Sequence, residues 1–172
     1  EHLRFALLTR AALEECQRER WAPDVAHGND WPTALLPVYL RTLYSWDELF
    51  AGTRSVLSLH NLAHQGAFPG HAVGDVGLEN DVHHLPPDDM AAGVLNMLKA
   101  GILHADALVT VSETYAREIQ TREGGAGLDR LLFARRDALY GIVNGMDVDE
   151  WSPETDAHIP RRYSADDLEG KQ

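Results

Sequence analysis

Short apolar runs alternate with longer stretches of helical periodicity along this chain of 172 residues. The runs are typical of buried strands. They predict strands near residues 24–27, 56–60, 108–111 and 139–143. Apolar positions three and four residues apart predict helices at 3–18, 30–44, 89–106, 112–120 and 127–136. Strands that alternate with helices are typical of a parallel sheet with crossover helices, so the sequence predicts the α/β fold class.

Capping and breaking residues indicate where these helices begin and bend. Asp30 is a candidate N-cap for the second helix, and Pro37 inside that helix predicts a kink. Asp88 or Asp89 is expected to cap the third helix, and Ser112 the fourth.

Polar side chains follow each predicted strand, where the chain leaves the sheet. In a parallel sheet the carboxyl ends of the strands meet at one edge and form the binding crevice. The four strand ends therefore predict a ligand site at this edge. Its candidate residues are His27 to Asp30, His60, Asn61, Ser112 and Asn144 with Gly145.

Asp30 and Trp31 offer a carboxylate and an indole side by side at the first strand end. A sugar would use both, because a carboxylate accepts hydrogen bonds from hydroxyl groups and an indole covers the apolar face of a pyranose. Helix capping by Asp30 and core packing of Trp31 are the competing interpretations, and the sequence leaves them open.

Nine histidines raise the question of a metal site, but their spacing predicts none. His60 and His64 lie four residues apart in a loop that does not fix their geometry, and no Cys or Glu completes a ligand set. His83 and His84 are equally isolated. A structural role competes with a functional one for His60.

The chain is acidic, with a formal net charge of -12. This charge argues against partners such as nucleic acid or an anionic membrane surface, which attract basic proteins. A single cysteine, Cys16, excludes a disulfide within the chain and indicates a reducing compartment. No apolar run reaches the ~18 to 20 residues of a membrane span. Lys99 and Arg117 lie near strand ends, and the helix pattern places both at the surface.

Several blocks of the sequence resemble those of bacterial glycogen synthases and plant starch synthases, which extend α-1,4-glucans with ADP-glucose. The blocks are collinear with the family and run essentially from end to end of the chain. The most specific are WAPDVAHGNDWPTALLPVYLR, SLHNLAHQGAFP, TVSETYAREIQT and GIVNGMDVDEWSP.

This resemblance implies a GT-B fold, in which two Rossmann-like domains face each other across a cleft. Residues 1–160 then form part of the N-terminal, acceptor-side domain, and residues 161–172 begin the linker between the domains. The family's Lys-Thr-Gly-Gly-Leu loop does not occur in this sequence. The second domain, which supplies an Arg, a Lys and a Glu to the reaction centre, is also missing, so we expect an incomplete fragment.

The resemblance also assigns roles to the residues at the strand ends. His60 and Asp30 match catalytic positions beside the transferred glucose, and Trp31, Asn61 and Asn144 match positions that bind the sugar and the glucan. No metal and no cofactor are implied, because ADP-glucose is the donor substrate.

The sequence departs from the family pattern at the first strand end. The family usually reads His-Asp-Trp-His-Ala-Gly-Leu where this chain reads NDWPTAL, so Asn29 and Pro32 replace two histidines. His64 stands where Tyr is common, and the connection TLYSWDELFAGTR is longer than usual.

The expected function is transfer of glucose from ADP-glucose to the non-reducing end of an α-1,4-glucan with retention. The chain alone is expected to be inactive, in the cytoplasm of a bacterium or the plastid of a plant. A non-catalytic glucan-binding module and one half of a split enzyme are the alternatives. A nucleotide-binding module is disfavoured, because no Gly-rich loop with GxGxxG spacing follows a strand.

Overall fold

A computed structural model describes residues 1–171. None of the helices in that range is long and apolar enough to cross a membrane. The helices are α1 His2–Glu19, α2 Asp30–Thr33, α3 Leu35–Arg41, α4 Ala72–Asp75, α5 Pro87–Ala91, α6 Met97–His104, α7 Glu113–Glu118 and α8 Asp129–Ala134. The strands are β1 Val25–Asn29, β2 Arg54–Leu59, β3 Ala67–Pro69, β4 Val94–Asn96, β5 Ala107–Thr110 and β6 Leu139–Gly141.

Four strands form one sheet in the order β1-β2-β5-β6, and each neighbouring pair is parallel. The register places Gly28 opposite Leu57, Leu57 opposite Leu108, and Leu108 opposite Leu139. All four carboxyl ends therefore lie at one edge. The predicted α/β class and the predicted parallel pairing of these strands are confirmed.

Two clusters of buried apolar residues hold these elements together. One contains Leu13 of α1 and Tyr39 of α3, and the other contains Leu57 of β2 and Ile102 of α6. Trp31 packs against both clusters. The end of β1 is therefore fixed between two densely packed regions, which leaves it little room to move.

The helix predicted at 30–44 is divided into α2 and α3 at Ala34. Pro37 accounts for the break, because a proline ring clashes with the carbonyl group four residues earlier, here that of Thr33, the last residue of α2. In place of the predicted kink within one helix, the structure has a break three residues before Pro37, and the second helix ends at Arg41.

The prediction of one helix over 89–106 is wrong. The chain forms α5, then β4, then α6, and β4 pairs antiparallel with β3. Gly93 has a φ of +66°, a left-handed conformation that stops α5. Neither Asp88 nor Asp89 caps a helix, because Pro86 is the residue before α5. Ser112 does cap α7, as predicted, with its hydroxyl accepting from the N–H of Tyr115.

Two arginines satisfy the carbonyl groups at the carboxyl end of α6. Arg41 donates from Nε to the carbonyl oxygen of His104 at 3.0 Å. Carbonyl groups of the last helical turn have no partner inside the helix, so such contacts stabilise its end. The guanidinium of Arg135 donates to the carbonyl oxygens of Ile102 (3.0 Å), Leu103 (2.6 Å) and Ala105.

The last strand is shorter than predicted, because β6 ends at Gly141. The chain beyond it has no further strand among the described residues, and the only regular element there is a short turn of 3-10 helix at Glu169–Lys171. The boundary at 160 and the linker over 161–172 stay predictions, and Gln172 lies outside the described residues. Six large apolar side chains in this segment are exposed: Ile142, Val143, Met146, Val148, Trp151 and Leu168.

Candidate functional site

Asp30 and His60 are joined at the carboxyl edge of the sheet. The Oδ1 atom of Asp30 accepts a hydrogen bond from the backbone N–H of His60 at 2.7 Å. Asp30 follows β1 and His60 follows β2, which are neighbouring strands. Helix capping by Asp30 is therefore the wrong interpretation. Asn29 occupies the N-cap position of α2 and makes no side-chain cap.

The backbone of Asp30 is left-handed, with a φ of 53°. This region is unfavourable for residues other than glycine, although Asp tolerates it better than most. Thr33 holds the turn, because its hydroxyl accepts from the N–H of Asn29 at 2.5 Å and donates to the Asn29 carbonyl at 3.0 Å. Backbone strain that surrounding bonds maintain is typical of functional positions.

The imidazole of His60 faces the side chain of Asn29, with 3.3 Å between Nε2 and Oδ1. Both residues are exposed and Asp30 is half-buried, so a ligand can reach this group from solvent. We call Asn29, Asp30 and His60 the strand-end cluster. His27 and Ser58 form a second polar contact on the same two strands, with 2.7 Å between Nε2 and Oγ.

Trp31 lies beside this cluster but is largely engaged in packing. Its ring makes an edge-on contact with Phe5 at 4.9 Å between centroids and a tilted contact with Phe68 at 5.9 Å. The free part of the residue lines a shallow pocket of about 450 Å³, shared with His64 and Gln65. Core packing accounts for most of the indole, and sugar binding by its remaining surface stays a prediction.

Asn61 is exposed and shapes its own loop. Its Oδ1 accepts from the backbone N–H of Ala63 at 2.9 Å, a local turn that asparagine favours. The amide nitrogen of Asn61 makes no hydrogen bond to any residue within 1–171, so it can donate to a ligand.

Gln65 anchors the far end of this loop, and sequence reasoning missed it. Its amide nitrogen donates to the carbonyl groups of Leu62 and Ala126 at 3.1 and 2.9 Å. Its side-chain oxygen accepts from Asn96 at 2.7 Å. The Gln-Gly pair at the end of HNLAHQG was visible in the sequence, but its partners are distant along the chain and only the fold brings them together.

Asn144 lies apart from the other candidates. It follows β6, which is separated from β2 by β5, so roughly 10 Å of sheet lies between those strands. Its side chain is exposed and hydrogen bonds to none of the described residues. The structure therefore joins Asp30 with His60 and leaves Asn144 as a predicted contact on the other side of the crevice.

Lys99 is not the free surface cation that the sequence indicated. Its ammonium group lies 2.6 Å from Asp88 and 2.7 Å from Asp89, and its side chain is only 17% exposed. Burial opposes the charge of Lys99, but the two carboxylates outweigh it and raise its pKa. The hydrogen bond from Lys99 lowers the pKa of Asp88 in turn. Lys99 is therefore committed to these carboxylates.

Metal binding gains no support in the described part of the chain. Over residues 1–171, no three His, Cys, Asp or Glu side chains are grouped closely enough to hold an ion.

The sequence and the fold of this chain correspond to a known family. Residues 1–134 match the family model of the starch synthase catalytic domain. This match covers well over half of the sequence, and the chain belongs to the starch synthase catalytic domain family. It is therefore related to glycosyltransferases.

Curated relatives of the chain are bacterial glycogen synthases. The chain is 51% identical to that of Anaeromyxobacter sp. (strain Fw109-5) over 168 residues, which are 98% of this chain and 35% of that protein. It is 49% identical to that of Myxococcus xanthus (strain DK1622) over 170 residues, which are 99% of this chain and 35% of that protein. The chain thus spans about a third of the length of the curated relatives it matches.

A solved structure shares the fold. The catalytic domain of starch synthase IV from Arabidopsis thaliana, bound to ADP and acarbose, is similar to this chain with a TM-score of 0.80 and 34% identity. The similarity covers 98% of this chain and 34% of that chain. The predicted resemblance to glycogen and starch synthases is confirmed, as is the assignment of the sheet to a GT-B glycosyltransferase.

Proposed function

We propose that this chain forms the part of the acceptor-side domain that lines the substrate cleft of a retaining glucosyltransferase. The complete enzyme would transfer glucose from ADP-glucose to the non-reducing end of an α-1,4-glucan. The observation that carries this proposal is the contact between the Asp30 carboxylate and the His60 N–H, built on a left-handed Asp30 backbone. It fixes two polar strand ends at the edge where parallel sheets bind ligands.

Each candidate residue has a role in this proposal. His60 lies beside the transferred glucose, and Asp30 holds the His60 backbone in place. Asn61 offers a free amide N–H, Trp31 offers part of its indole, and Asn144 contacts the glucan from the end of β6. ADP-glucose and the glucan are the substrates, and the proposed chemistry uses no metal or cofactor.

The chain alone is proposed to be inactive, because it lacks groups that stabilise the departing diphosphate. Enzymes lower barriers by typically ~8 to 23 kcal/mol, and electrostatic stabilisation is usually the largest single share. A net charge of -12 disfavours an anionic leaving group, and the ammonium group of Lys99 is already paired with carboxylates. A second domain would have to provide the cations. We propose that the whole enzyme lies in the cytoplasm of a bacterium or, if the chain is from a plant, in a plastid.

Incorporation of radiolabelled glucose into glycogen tests this proposal. The chain is assayed alone and together with a separately expressed second domain taken from a relative. We expect no incorporation by the chain alone. Incorporation by the mixture, lost in His60→Ala and kept in His158→Ala, a change of an exposed histidine in the tail, would show that the chain is one half of a split enzyme.

Two results would overturn the proposal in different ways. Incorporation by the chain alone would show that the missing half is not needed. Retention of the chain on glycogen, with no turnover in the mixture, would favour a non-catalytic glucan-binding module.

A further inference from the structure

We propose that Asn29 is a positioning residue that sets the proton on the imidazole of His60. It would hold the neutral ring in the form protonated at Nε2 and leave Nδ1 free to accept a hydrogen bond. This inference rests on the proposed role of His60 beside glucose. The position of the proton can nevertheless be measured without any catalysis.

The contact between Asn29 and His60 pairs an amide oxygen with a ring nitrogen. The Oδ1 atom of Asn29 lies 3.3 Å from Nε2 of His60, and a carbonyl oxygen only accepts hydrogen bonds. Nε2 must therefore carry the proton when the bond forms. In a neutral imidazole the other nitrogen then has a lone pair and no proton.

The backbone around Asn29 is held in place from several sides. Asn29 is the last residue of β1 and is in register with Ser58 of β2. Its N–H and its carbonyl both bind the hydroxyl of Thr33. Gly28 lets the turn close, because a Cβ there would lie only 3.0 Å from the carbonyl oxygen of Thr33.

The backbone of His60 is fixed independently. Asp30 binds its N–H, so the imidazole can move only by rotation of its own side-chain bonds. Within residues 1–171, Asn29 is the only residue whose side chain hydrogen bonds to that ring. The preferred protonation of the ring therefore depends on Asn29.

This arrangement determines which ligand groups His60 can recognise. A free Nδ1 lone pair accepts a hydrogen bond, so the group it recognises is a donor such as a hydroxyl of a glucose residue. A histidine in place of Asn29, as in the related family pattern, could exchange donor and acceptor roles with His60. The side chain of Asn29 has no titratable proton to exchange, and with its Oδ1 atom facing Nε2 the ring of His60 accepts through Nδ1.

Nitrogen-15 NMR of the histidine rings in the 172-residue chain tests the inference. The spectra of the unmodified chain are compared with those of Asn29→Ala, Asn29→Asp and Asn80→Ala, a matched change of an exposed asparagine elsewhere. We expect a single Nε2-protonated form of His60 in the unmodified chain and in Asn80→Ala. Asn29→Ala should show a mixture of both neutral forms.

Asn29→Asp separates positioning from simple structural support. A carboxylate at the same place still accepts from Nε2, and its charge favours the imidazolium, so the doubly protonated ring should persist to higher pH than in the unmodified chain. At a pH where the ring of this variant is neutral, Nδ1 is free to accept and the affinity for acarbose should be kept, whereas Asn29→Ala should weaken it several-fold.

The outcomes divide clearly. An unchanged ratio of ring forms in Asn29→Ala, or an unchanged titration of His60 in Asn29→Asp, would overturn the positioning role. Absence of acarbose binding by the unmodified chain, with the expected NMR result, would instead count against the proposed function and leave the role of Asn29 intact.

Discussion

Arg41 and Asp106 form an ion pair, with 2.8 Å between Nη2 and Oδ1, that ties the end of α3 to the start of β5. The other oxygen of Asp106 accepts from the N–H and the hydroxyl of Ser55, at 2.8 and 2.9 Å. One carboxylate therefore joins three elements at the amino edge of the sheet, opposite the strand-end cluster.

Asp106→Ala is expected to lower the free energy of unfolding by about 1 to 3 kcal/mol, because it leaves the buried N–H of Ser55 without its partner. Urea denaturation followed by circular dichroism measures this change. Asp137→Ala is the matched control, since that carboxylate is 93% exposed, and its midpoint should not move. Equal midpoints for the Asp106 variant and the unmodified chain would contradict the prediction.

The same carboxylate should contribute to acid sensitivity. Burial opposes ionisation of Asp106, but the hydrogen bonds from Ser55 and the charges of Arg41 and Arg54 outweigh it and lower its pKa below 3.8. The stabilising effect of the Asp106 carboxylate is therefore present above pH 3.8. It is lost as the pH falls through the lower pKa that Asp106 has in the folded chain.

A second pH dependence is expected near neutrality, from His104 at the end of α6. Burial lowers the pKa of His104 below 6.5, and the charges of Arg41 and Arg135 and the nearby imidazole of His84 lower it further. Its Nε2 lies 2.6 Å from the carbonyl oxygen of His84, a contact that partly opposes this effect. As the pH falls, His104 is protonated in the unfolded chain before it is protonated in the folded chain. Its contribution to the free energy of unfolding is therefore complete above pH 6.5 and decreases as the pH falls below that value.

His104→Gln should remove this slope while keeping a donor for the His84 carbonyl. The measurement is the free energy of unfolding in urea from about pH 5 to 8, for the variant and the unmodified chain. His158→Gln, at an exposed site, should leave the slope in place. Identical slopes with and without His104 would rule out this origin.

Gly66→Ala is expected to destabilise the loop that carries the candidate site. Gly66 has a φ of +61°, and a Cβ there would lie 2.4 Å from Cε3 of Trp31. Strain and overpacking together should cost about 1 to 3 kcal/mol. Gly74→Ala is the control, because a Cβ at that position meets nothing within 4 Å and its φ is ordinary. The prediction fails if both variants melt at the temperature of the unmodified chain.

The isolated chain should self-associate. Val143 and Trp151 are 73% and 66% exposed, and the outer strands β1 and β6 each present an unpaired edge within the described sheet. Light scattering during size-exclusion chromatography should give a mass that increases with loading concentration. Val143→Ser combined with Trp151→Ser should reduce this increase, and a monodisperse monomer at all loadings would contradict the expectation.

The strands of the sheet were predictable because the residues of each strand carry the pattern that identifies it. Each strand is a short apolar run bounded by polar residues, and the period of the intervening segments differs from that of a strand. The hairpin of β3 and β4 was not predictable in this way. Its strands have three residues each, too few to show a period, and Gly93 separates what looked like one continuous helix.

The placement of Asp30 and His60 at one edge of the sheet was predictable, whereas the contact between them was not. Asp30 precedes a helical pattern, so capping was a reasonable local interpretation. Its partner His60 lies 30 residues further along the chain, and only the parallel pairing of β1 and β2 brings the two together. The role of Gln65 was hidden for the same reason.

The contacts of Arg135 have a practical consequence for anyone who cuts or grafts this domain. The family match ends at Ala134, one residue before the side chain that binds three carbonyl groups at the end of α6 and just beyond it. A chain terminated at that homology boundary would lose this anchor together with all of β6. Expression boundaries for the domain should therefore follow the hydrogen-bond network and extend at least to Gly141.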